Sequence, residues 1–269
     1  MSSLPKIGIV GASGRMGQML IKAIADSEKM ELSAVTEMAG HTWVGKSLIE
    51  INPETPHEIM VLDNPEEAFG DVDAVIDFSS PNSSTNIADL ASRLNFVHVV
   101  GTTGIDREQE ASIVRSSKSA VIIKAGNMSM GVNLLVKITE MVAASLDADF
   151  DIEIVEAHHH HKVDAPSGTA LMLGEAAASG RKVDLSDHMD KPRYGAVGAR
   201  KRGNIGFSAI RGGNIVGEHD VIFAGNGEKI VLSHIATDRS IYSSGALKAA
   251  LWGLDQSPGL YDIFDVLGI

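Results

Sequence analysis

A glycine loop set between an apolar strand and an amphipathic helix constrains this chain more than any other feature. Lys6 to Val10 is a short apolar run, and Gly11-Ala12-Ser13-Gly14-Arg15-Met16-Gly17 follows it directly. Glycines allow a tight turn and let the backbone approach a pyrophosphate, whose charge is then met by N–H groups at a helix start. Beyond the loop, Met16, Met19, Leu20, Ala23 and Ile24 recur at i, i+3, i+4, i+7 and i+8. That spacing predicts a helix from Arg15 with one apolar stripe packed on a sheet. The glycine spacing is G-x-x-G-x-x-G, one residue longer than the standard dinucleotide fingerprint.

A glycine cluster alone could be no more than a compact turn. Here Glu37 stands at the end of the next strand candidate, Glu31 to Thr36. An acid there can accept hydrogen bonds from an adenosine ribose, so strand, loop, helix and acid together point to a dinucleotide. Met38 follows Glu37 and offers no positive charge to a 2′-phosphate. NADH is therefore expected to serve at least as well as NADPH, although Arg15 is available for such a contact.

The alternation that begins with this unit continues. Strand candidates recur at Ile59 to Leu62, Ala74 to Phe78, Phe96 to Val100 and Val121 to Lys124, most of them continuous apolar runs, as strands covered on both faces require. Helices are expected after Pro81-Asn82-Ser83 and Asp106-Arg107-Glu108, where polar side chains can cap backbone N–H groups. This is the rhythm of a doubly wound parallel sheet. After a helical pattern from Val132 to Leu146 the rhythm changes to an extended run at Asp151 to Ala157, a helix from about Gly168 to Ala178, and a polar stretch from Arg181 to Asn204 that reads as a long loop. Runs at Ile205 to Arg211, Ile215 to Ala224 and Lys229 to Ile235, joined by Gly-Gly-Asn and Gly-Asn-Gly, predict antiparallel hairpins. A last helix from about Ile241 to Leu254 is expected to return to the first domain. The expected fold is thus α/β: an N-terminal Rossmann-type doubly wound parallel sheet from residues 1–129 and 240–269, and a smaller α+β domain from residues 130–239.

Composition narrows the partners. A formal charge of −12 disfavours general attraction to nucleic acid or anionic membrane, so an anionic ligand must be held by local groups. The absence of cysteine removes disulfides, thiolate catalysis and Cys-ligated metals together. The N-terminus lacks a long apolar segment and no run reaches the length of a bilayer span, so a cytoplasmic protein is expected.

The densest chemical stretch runs from Glu156 to Ala170: Glu156-Ala157-His158-His159-His160-His161-Lys162-Val163-Asp164-Ala165-Pro166-Ser167-Gly168-Thr169-Ala170. Four adjacent histidines suggest a zinc site or an affinity tag at first glance. Flanking strand and helix patterns argue against a tag, and the lack of Cys or an H-E-x-x-H helix argues against metal, so no metal is expected. Acid–base and anion chemistry remains. If the segment is extended, His158, His160 and Lys162 share one face and His159 and His161 the other. Imidazole passes protons near neutrality, lysine protonates an intermediate or holds a carboxylate, and Ser167-Gly168-Thr169 at a helix start can receive another carboxylate. A small dicarboxylate suits the arrangement, although some of these histidines can equally be plain surface residues.

Taken together these residues resemble the E-A-H-H-x-H-K-x-D-x-P-S-G-T-A motif of the 4-hydroxy-tetrahydrodipicolinate reductase (dihydrodipicolinate reductase) family. Asp77-Phe78-Ser79, Gly101-Thr102-Thr103-Gly104, Ala125-Gly126-Asn127-Met128-Ser129, Gly131-Val132-Asn133 and Gly217-Glu218-His219 extend the resemblance over nearly the whole chain. It implies hydride transfer from NADH or NADPH to a cyclic unsaturated dicarboxylate in the diaminopimelate route to lysine. Carried over residue by residue, it makes His158 a proton donor or acceptor and Lys162 a proton donor, with His159, Gly168 and Thr169 binding substrate. Gly11, Ala12, Ser13, Gly14, Arg15, Met16 and Glu37 would hold pyrophosphate and adenosine. Gly101, Thr102, Thr103, Ala125, Gly126, Asn127 and Met128 would line the nicotinamide side. The family pattern often places Arg directly after the ribose acid, and Met38 departs from it. The resemblance also implies that the α+β domain of residues 130–239 is a substrate-binding and oligomerisation domain, forming a homotetramer through its sheet, and that the domains close on each other. Two other readings stand beside it: an amino-acid dehydrogenase acting on aspartate, and a nucleotide-sensing module that moves no hydride. The Lys162 to Thr169 motif speaks against the first, and the lack of a basic patch or DNA-binding helix pair against the second.

Overall fold

The computed structural model describes residues 3–55, 58–190 and 192–269. Strand β1 (Lys6–Val10) leads into helix α1 (Arg15–Ala25), then β2 (Glu31–Thr36), the one-turn helix α2 (Leu48–Ile51), β3 (Val61–Leu62) and the one-turn helix α3 (Pro65–Ala68). The pattern continues with β4 (Ala74–Asp77), α4 (Pro81–Leu94), β5 (Val97–Val100), α5 (Arg107–Ser116) and β6 (Val121–Lys124). A second set follows: α6 (Met130–Ser145), β7 (Asp151–His158), α7 (Gly168–Arg181), α8 (Leu185–His188), β8 (Met189–Asp190), β9 (Ile205–Arg211), β10 (Gly217–Ala224) and β11 (Lys229–Ala236). The chain closes with α9 (Ser240–Gly253), β12 (Gly259–Tyr261) and α10 (Ile263–Leu267).

Two compact units result, one of the residues up to Ser129 with Ser240–Gly268, the other Met130–Arg239. In the first, seven parallel strands lie in the order β12-β6-β5-β4-β1-β2-β3. Every residue of β4 and β5 is buried, because helices cover both faces of a parallel sheet and leave no polar side. Capping sets the helix starts: Ser80 accepts from Ser83 N with Pro81 in the first turn, and Asp106 with Gln109 forms a reciprocal box. Helix α9 packs against α1, β4, β5 and β6. Its small residues permit this approach, since a Cβ at Gly245 would collide with the carbonyl of Met128 and one at Gly253 would press on Val97 and Ile123.

The second unit holds a mixed sheet in the order β11-β10-β7-β9-β8. Ile152 and Ile154 of β7, Ile205 and Phe207 of β9, and Val221 and Phe223 of β10 form one apolar face. Leu135 and Ala143 of α6 and Ala170, Leu173 and Ala177 of α7 pack on it.

Three expectations change here. The run Ile205 to Arg211 does not form a hairpin with Ile215 to Ala224, because β7 lies between them, parallel to β9 and antiparallel to β10. The Gly212-Gly213-Asn214 turn instead crosses the end of β7, held by Gly212 N to His158 O at 3.0 Å and His159 N to Ile215 O at 2.8 Å. Only the second turn makes a true hairpin, pairing β10 with β11. The polar stretch from Arg181 to Asn204 is not all loop: Asp184 caps α8, and β8 pairs in parallel with β9, where Met189 reaches the apolar core. Finally, beyond α9 a seventh strand, β12, joins the edge of the large sheet beside β6.

Candidate active site

In the first unit the glycine loop is tied to the end of β2. Gly11 N and Ala12 N both donate to Thr36 O, at 2.9 and 3.0 Å, and Gly11 has φ +74°, a conformation that favours glycine. A Cβ at Gly17 would collide with the carbonyl of Gly11, so the helix can start this close to the strand only with glycine there. Gly14 is the N-cap of α1 and supplies no side-chain cap, which leaves this helix end suited to an anion. Arg15 is exposed in its first turn and Met16 half-buried. Glu37 accepts from Ser13 N and Met38 N, each at 2.9 Å. Burial pushes its carboxyl up, but the hydrogen bonds from Ser13 and Met38 outweigh that and hold it below its ordinary value. Met38 projects outward, 71% exposed.

The other two segments follow β5 and β6. Gly101 N donates to Asp77 O at 2.8 Å, and the Phe78 ring fills the space a side chain at Gly101 would need. Thr102 is buried and accepts from the Ser84 hydroxyl at 2.8 Å, while Thr103 is exposed. Ala125 N donates to Val100 O at 3.1 Å, Gly126 is exposed, Asn127 accepts from Ser129 N at 2.9 Å, and Met128 is buried. The loop after β1 and the segments after β5 and β6 thus all leave the carboxyl ends of strands in one sheet, where open α/β sheets bind ligands. Beneath Thr102 lies a fully buried pair, with His98 Nε2 3.4 Å from Asp77 Oδ2. Burial raises the Asp77 carboxyl, but His98 and the hydroxyls of Ser79 and Ser84 more than offset it and hold it low.

In the second unit the histidine segment does not stay extended. β7 ends at His158, and the chain then turns, with Lys162 N donating to His159 O at 3.1 Å. The alternating two-face arrangement expected for His158 to Lys162 is therefore lost. Pairing ends there because the Gly212 to Ile215 crossing occupies the end of β7, so the backbone beyond His158 has no second strand to follow. His159 Nε2 lies 3.2 Å from Arg239 Nη2, and His160 Nδ1 lies 2.9 Å from Gly213 O. His160 and His161 are exposed, their rings 3.9 Å apart. Burial and then the positive charges of Arg239 and the neighbouring histidines lower the pKa of His159. Lys162 Nζ donates to both carboxylate oxygens of Asp164 at 2.8 Å, and this hydrogen bonding lowers the Asp164 carboxyl. Among the described residues no group of three or more His, Cys, Asp or Glu side chains is arranged to hold a metal ion.

One carboxylate organises the rest. Glu156, 1% exposed, accepts from Arg211 Nη1 and Nη2, each at 2.7 Å, and from Ser167 N at 3.1 Å, and its Oε2 lies 2.6 Å from His158 Nδ1. Burial pushes the Glu156 carboxyl up, but the bonds from Arg211 and then His158 prevail and hold it below the ordinary 4.5. Arg211 also donates to Asp164 O at 2.6 Å, which links the Lys162 turn to the same centre. Ser167 caps α7, accepting from Ala170 N, with exposed Gly168 and half-buried Thr169 in the first turn. His219, on the neighbouring strand, meets the His158 ring edge-on at 5.1 Å and lies 2.9 Å from Ser167 Oγ. Within this unit Glu156 holds His158 and Ser167 directly, Arg211 ties the turn of Lys162 and Asp164 to it, Gly168 and Thr169 follow Ser167 in α7, and His159 lies beside Arg239. The sequence singled out neither Arg211 nor Arg239, and it marked His219 only within the Gly217-Glu218-His219 match, without a role. Glu156 opened the histidine motif, and its preceding alternation along β7 was the available sign that its side chain turns inward.

A parallel Rossmann-type sheet with this glycine loop, and a second unit with a buried carboxylate holding a histidine and a lysine turn, define an oxidoreductase. The chain belongs to the dihydrodipicolinate reductase family: the description "Dihydrodipicolinate reductase, N-terminus" matches residues 5–128 and "Dihydrodipicolinate reductase, C-terminus" matches residues 131–267. It is 57% identical to the 4-hydroxy-tetrahydrodipicolinate reductase of Ruegeria pomeroyi over 269 residues, covering 100% of both chains. The like-named protein of Rhizobium meliloti is 50% identical over 265 residues, covering 98% of this chain and 97% of the relative. Among solved structures it is similar to the dipicolinate-bound dihydrodipicolinate reductase of Paenisporosarcina sp. TG-14, with a TM-score of 0.78, 26% identity, and coverage of 98% of this chain and 99% of that one. A probable dehydrogenase of Thermotoga maritima shares the fold at 12% identity, with a TM-score of 0.58 and coverage of 97% and 92%.

Proposed function

We propose that the chain catalyses the NAD(P)H-dependent reduction of 4-hydroxy-tetrahydrodipicolinate to tetrahydrodipicolinate, a step of lysine biosynthesis through diaminopimelate. Family membership over the full chain carries this reading, and the Glu156-centred cluster is the observation that gives it a chemistry.

The first unit fits a nicotinamide dinucleotide. A positive-φ glycine, a collision-limited Gly17 and an α1 start without a side-chain cap make a cradle for a pyrophosphate. Gly11, Ala12, Ser13, Gly14, Arg15 and Met16 would hold that group, and Glu37 would take the adenosine ribose. Gly101, Thr102, Thr103, Ala125, Gly126, Asn127 and Met128 would line the nicotinamide side. When bound, the coenzyme supplies a hydride. NADH is expected to serve at least as well as NADPH, since the exposed Met38 puts no cation beside Glu37.

In the second unit, His158 and Lys162 hold and deliver protons. Reduction leaves negative charge on the carbon beside the one attacked, and a placed acid lowers the barrier by protonating it. His159, Gly168 and Thr169 would hold the substrate, with N–H groups at the α7 start meeting one carboxylate. Lys162 reaches the substrate by leaving Asp164, an exchange of one carboxylate for another that involves little net electrostatic cost. A homotetramer through the second sheet is supported by the edge strand β11, which carries exposed Ile230, Val231 and Ile235. The test is turnover with the substrate freshly generated by an upstream aldol-condensing enzyme, following coenzyme oxidation by absorbance.

A further inference from the structure

Glu156 and Arg211 stand behind the proposed proton carriers, and Glu156 accepts from three elements of the second unit at once. Glu156 sits on β7 two residues before His158, at the position that pairs across to His219 on β10, with Arg211 at the end of β9 on its other side. Its Oε1 accepts from Ser167 N at 3.1 Å and Arg211 Nη2 at 2.7 Å, and its Oε2 accepts from Arg211 Nη1 at 2.7 Å. The fourth partner is His158 Nδ1 at 2.6 Å. An ionised carboxylate only accepts, so the Nδ1 facing it must carry a proton. The neutral ring then has its lone pair on Nε2.

The structure leaves that nitrogen room. An ideal Cβ at residue 217 would lie 3.1 Å from His158 Nε2, so glycine at the start of β10 keeps the space beside it open. The His158 side chain is 12% exposed while Glu156 beneath it is 1% exposed, so the outward-facing part of the pair is the imidazole.

We propose that Glu156, clamped by Arg211, is a positioning residue that selects the Nδ1–H tautomer of His158 and presents Nε2 to the substrate. This rests on the reductase reading and deepens it. As an acid, the imidazolium carries protons on both nitrogens. The Nε2 proton passes to the substrate carbon, whose electron pair forms the new C–H bond, and His158 is left as the neutral Nδ1–H tautomer. Glu156 stays ionised throughout, since Arg211 neutralises it, so no proton is lost backwards. The same carboxylate holds Ser167 N and thereby fixes the start of α7 relative to His158. One group thus sets the distance between the acid–base nitrogen and the turn that would receive a substrate carboxylate.

The charged and titratable groups around His158 are Glu156 on its own strand, Arg211 on β9, His219 on β10 with His234 behind it on β11, and His159, Lys162 and its partner Asp164 in the following turn. Glu156 is the carboxylate within hydrogen-bond distance of His158 Nδ1, so Glu156→Gln removes the charged acceptor that fixes the Nδ1 proton.

Two measurements test the proposal. In the full chain labelled with ¹⁵N-histidine, with the His158 signals assigned by their loss in His158→Gln, the neutral ring is expected to be protonated on Nδ1. A neutral ring protonated on Nε2 overturns the proposal whatever the activity proves to be. In Glu156→Gln, kcat is expected to fall at least about tenfold, with the coenzyme KM within about twofold and the Nδ1–H tautomer of His158 no longer dominant in the ¹⁵N spectrum. A folded Glu156→Gln with an unchanged His158 tautomer and near-normal kcat overturns it. Should that variant fail to fold, Arg211→Lys keeps a cation beside Glu156 but breaks the two-pronged clamp, and is expected to lower kcat while melting close to the parent. Failure of the unsubstituted chain to reduce the substrate would instead overturn the reductase reading, leaving the tautomer measurement to decide this one.

Discussion

The hydroxyl oxygen of Ser167 lies 2.9 Å from Nε2 of His219 and accepts the Ala170 N–H at 3.1 Å. The tautomer of His219 sets the roles: a ring with its lone pair on Nε2 accepts the hydroxyl proton, and one protonated there donates to the oxygen. Burial, and then the nearby His158, push His219 down to about 4 from its ordinary 6.5. Between those values the unfolded chain takes a proton that the folded chain refuses, so stability rises with pH there. The expected result is a loss of stability as pH falls from about 6.5 towards 4, with His219 contributing on the order of 3 kcal/mol. His159 and His234, also lowered, add with the same sign. Denaturant unfolding across this range should show a visibly shallower slope in His219→Gln.

The depressed carboxylates act in a lower window. Glu156 and Asp77 contribute stability that is present above their unfolded values and lost as pH falls through their folded ones. A second, steeper loss is therefore expected below about pH 4. Thermal melts of Glu156→Gln should lack part of that lower step while keeping the His219 one.

Ser167→Ala removes the N-cap of α7 and the partner of His219. A loss of about 1 kcal/mol is expected from the cap, read as a lower unfolding midpoint. On the proposed substrate role of Gly168 and Thr169, substrate KM should rise severalfold while coenzyme KM holds, because α7 and the glycine loop belong to different units of the chain.

Lys162→Ala, with the fold intact, is expected to lose most of its turnover, and near-normal kcat would remove lysine from the reaction. Lys162 makes its bonds to the exposed Asp164, so little stability should go with it. His158→Gln should weaken catalysis far more than NADH binding measured by fluorescence titration.

Coenzyme choice can be tested at an exposed position. Met38→Arg is expected to raise kcat/KM with NADPH relative to NADH by roughly tenfold, since it supplies the cation a 2′-phosphate needs at little cost to packing. A parent enzyme with a strong NADPH preference would refute the reading of Glu37 and Met38.

Strands β1 to β6 of the large sheet were legible because most are continuous apolar runs and the helices between them carry 3.6-residue stripes and caps, signals that are local in sequence, whereas the three-residue β12 carries no such signal. The glycine loop was legible for the same reason. The second sheet was harder. The Gly212-Gly213-Asn214 turn looks like a hairpin, but whether two runs pair depends on what lies between them, and β7 is some fifty residues away in the chain. The strand β8 was hidden because two residues carry no periodicity, and only pairing with β9 makes them a strand. The chemical segment from Glu156 to Thr169 was visible by composition, whereas its shape was not: the turn after His158 is imposed by a crossing from Gly212 to Ile215. Arg211 had no motif to announce it, and it gains a role only through its distance to Glu156.

The central claim is the reduction itself. Purified chain should be mixed with NADH and freshly generated 4-hydroxy-tetrahydrodipicolinate, following coenzyme oxidation together with formation of tetrahydrodipicolinate. Stoichiometric, enzyme-dependent conversion that is lost in Lys162→Ala is expected. Coenzyme binding without any oxidation in the presence of that substrate, or oxidation driven by an aspartate-derived substrate instead, would contradict the account.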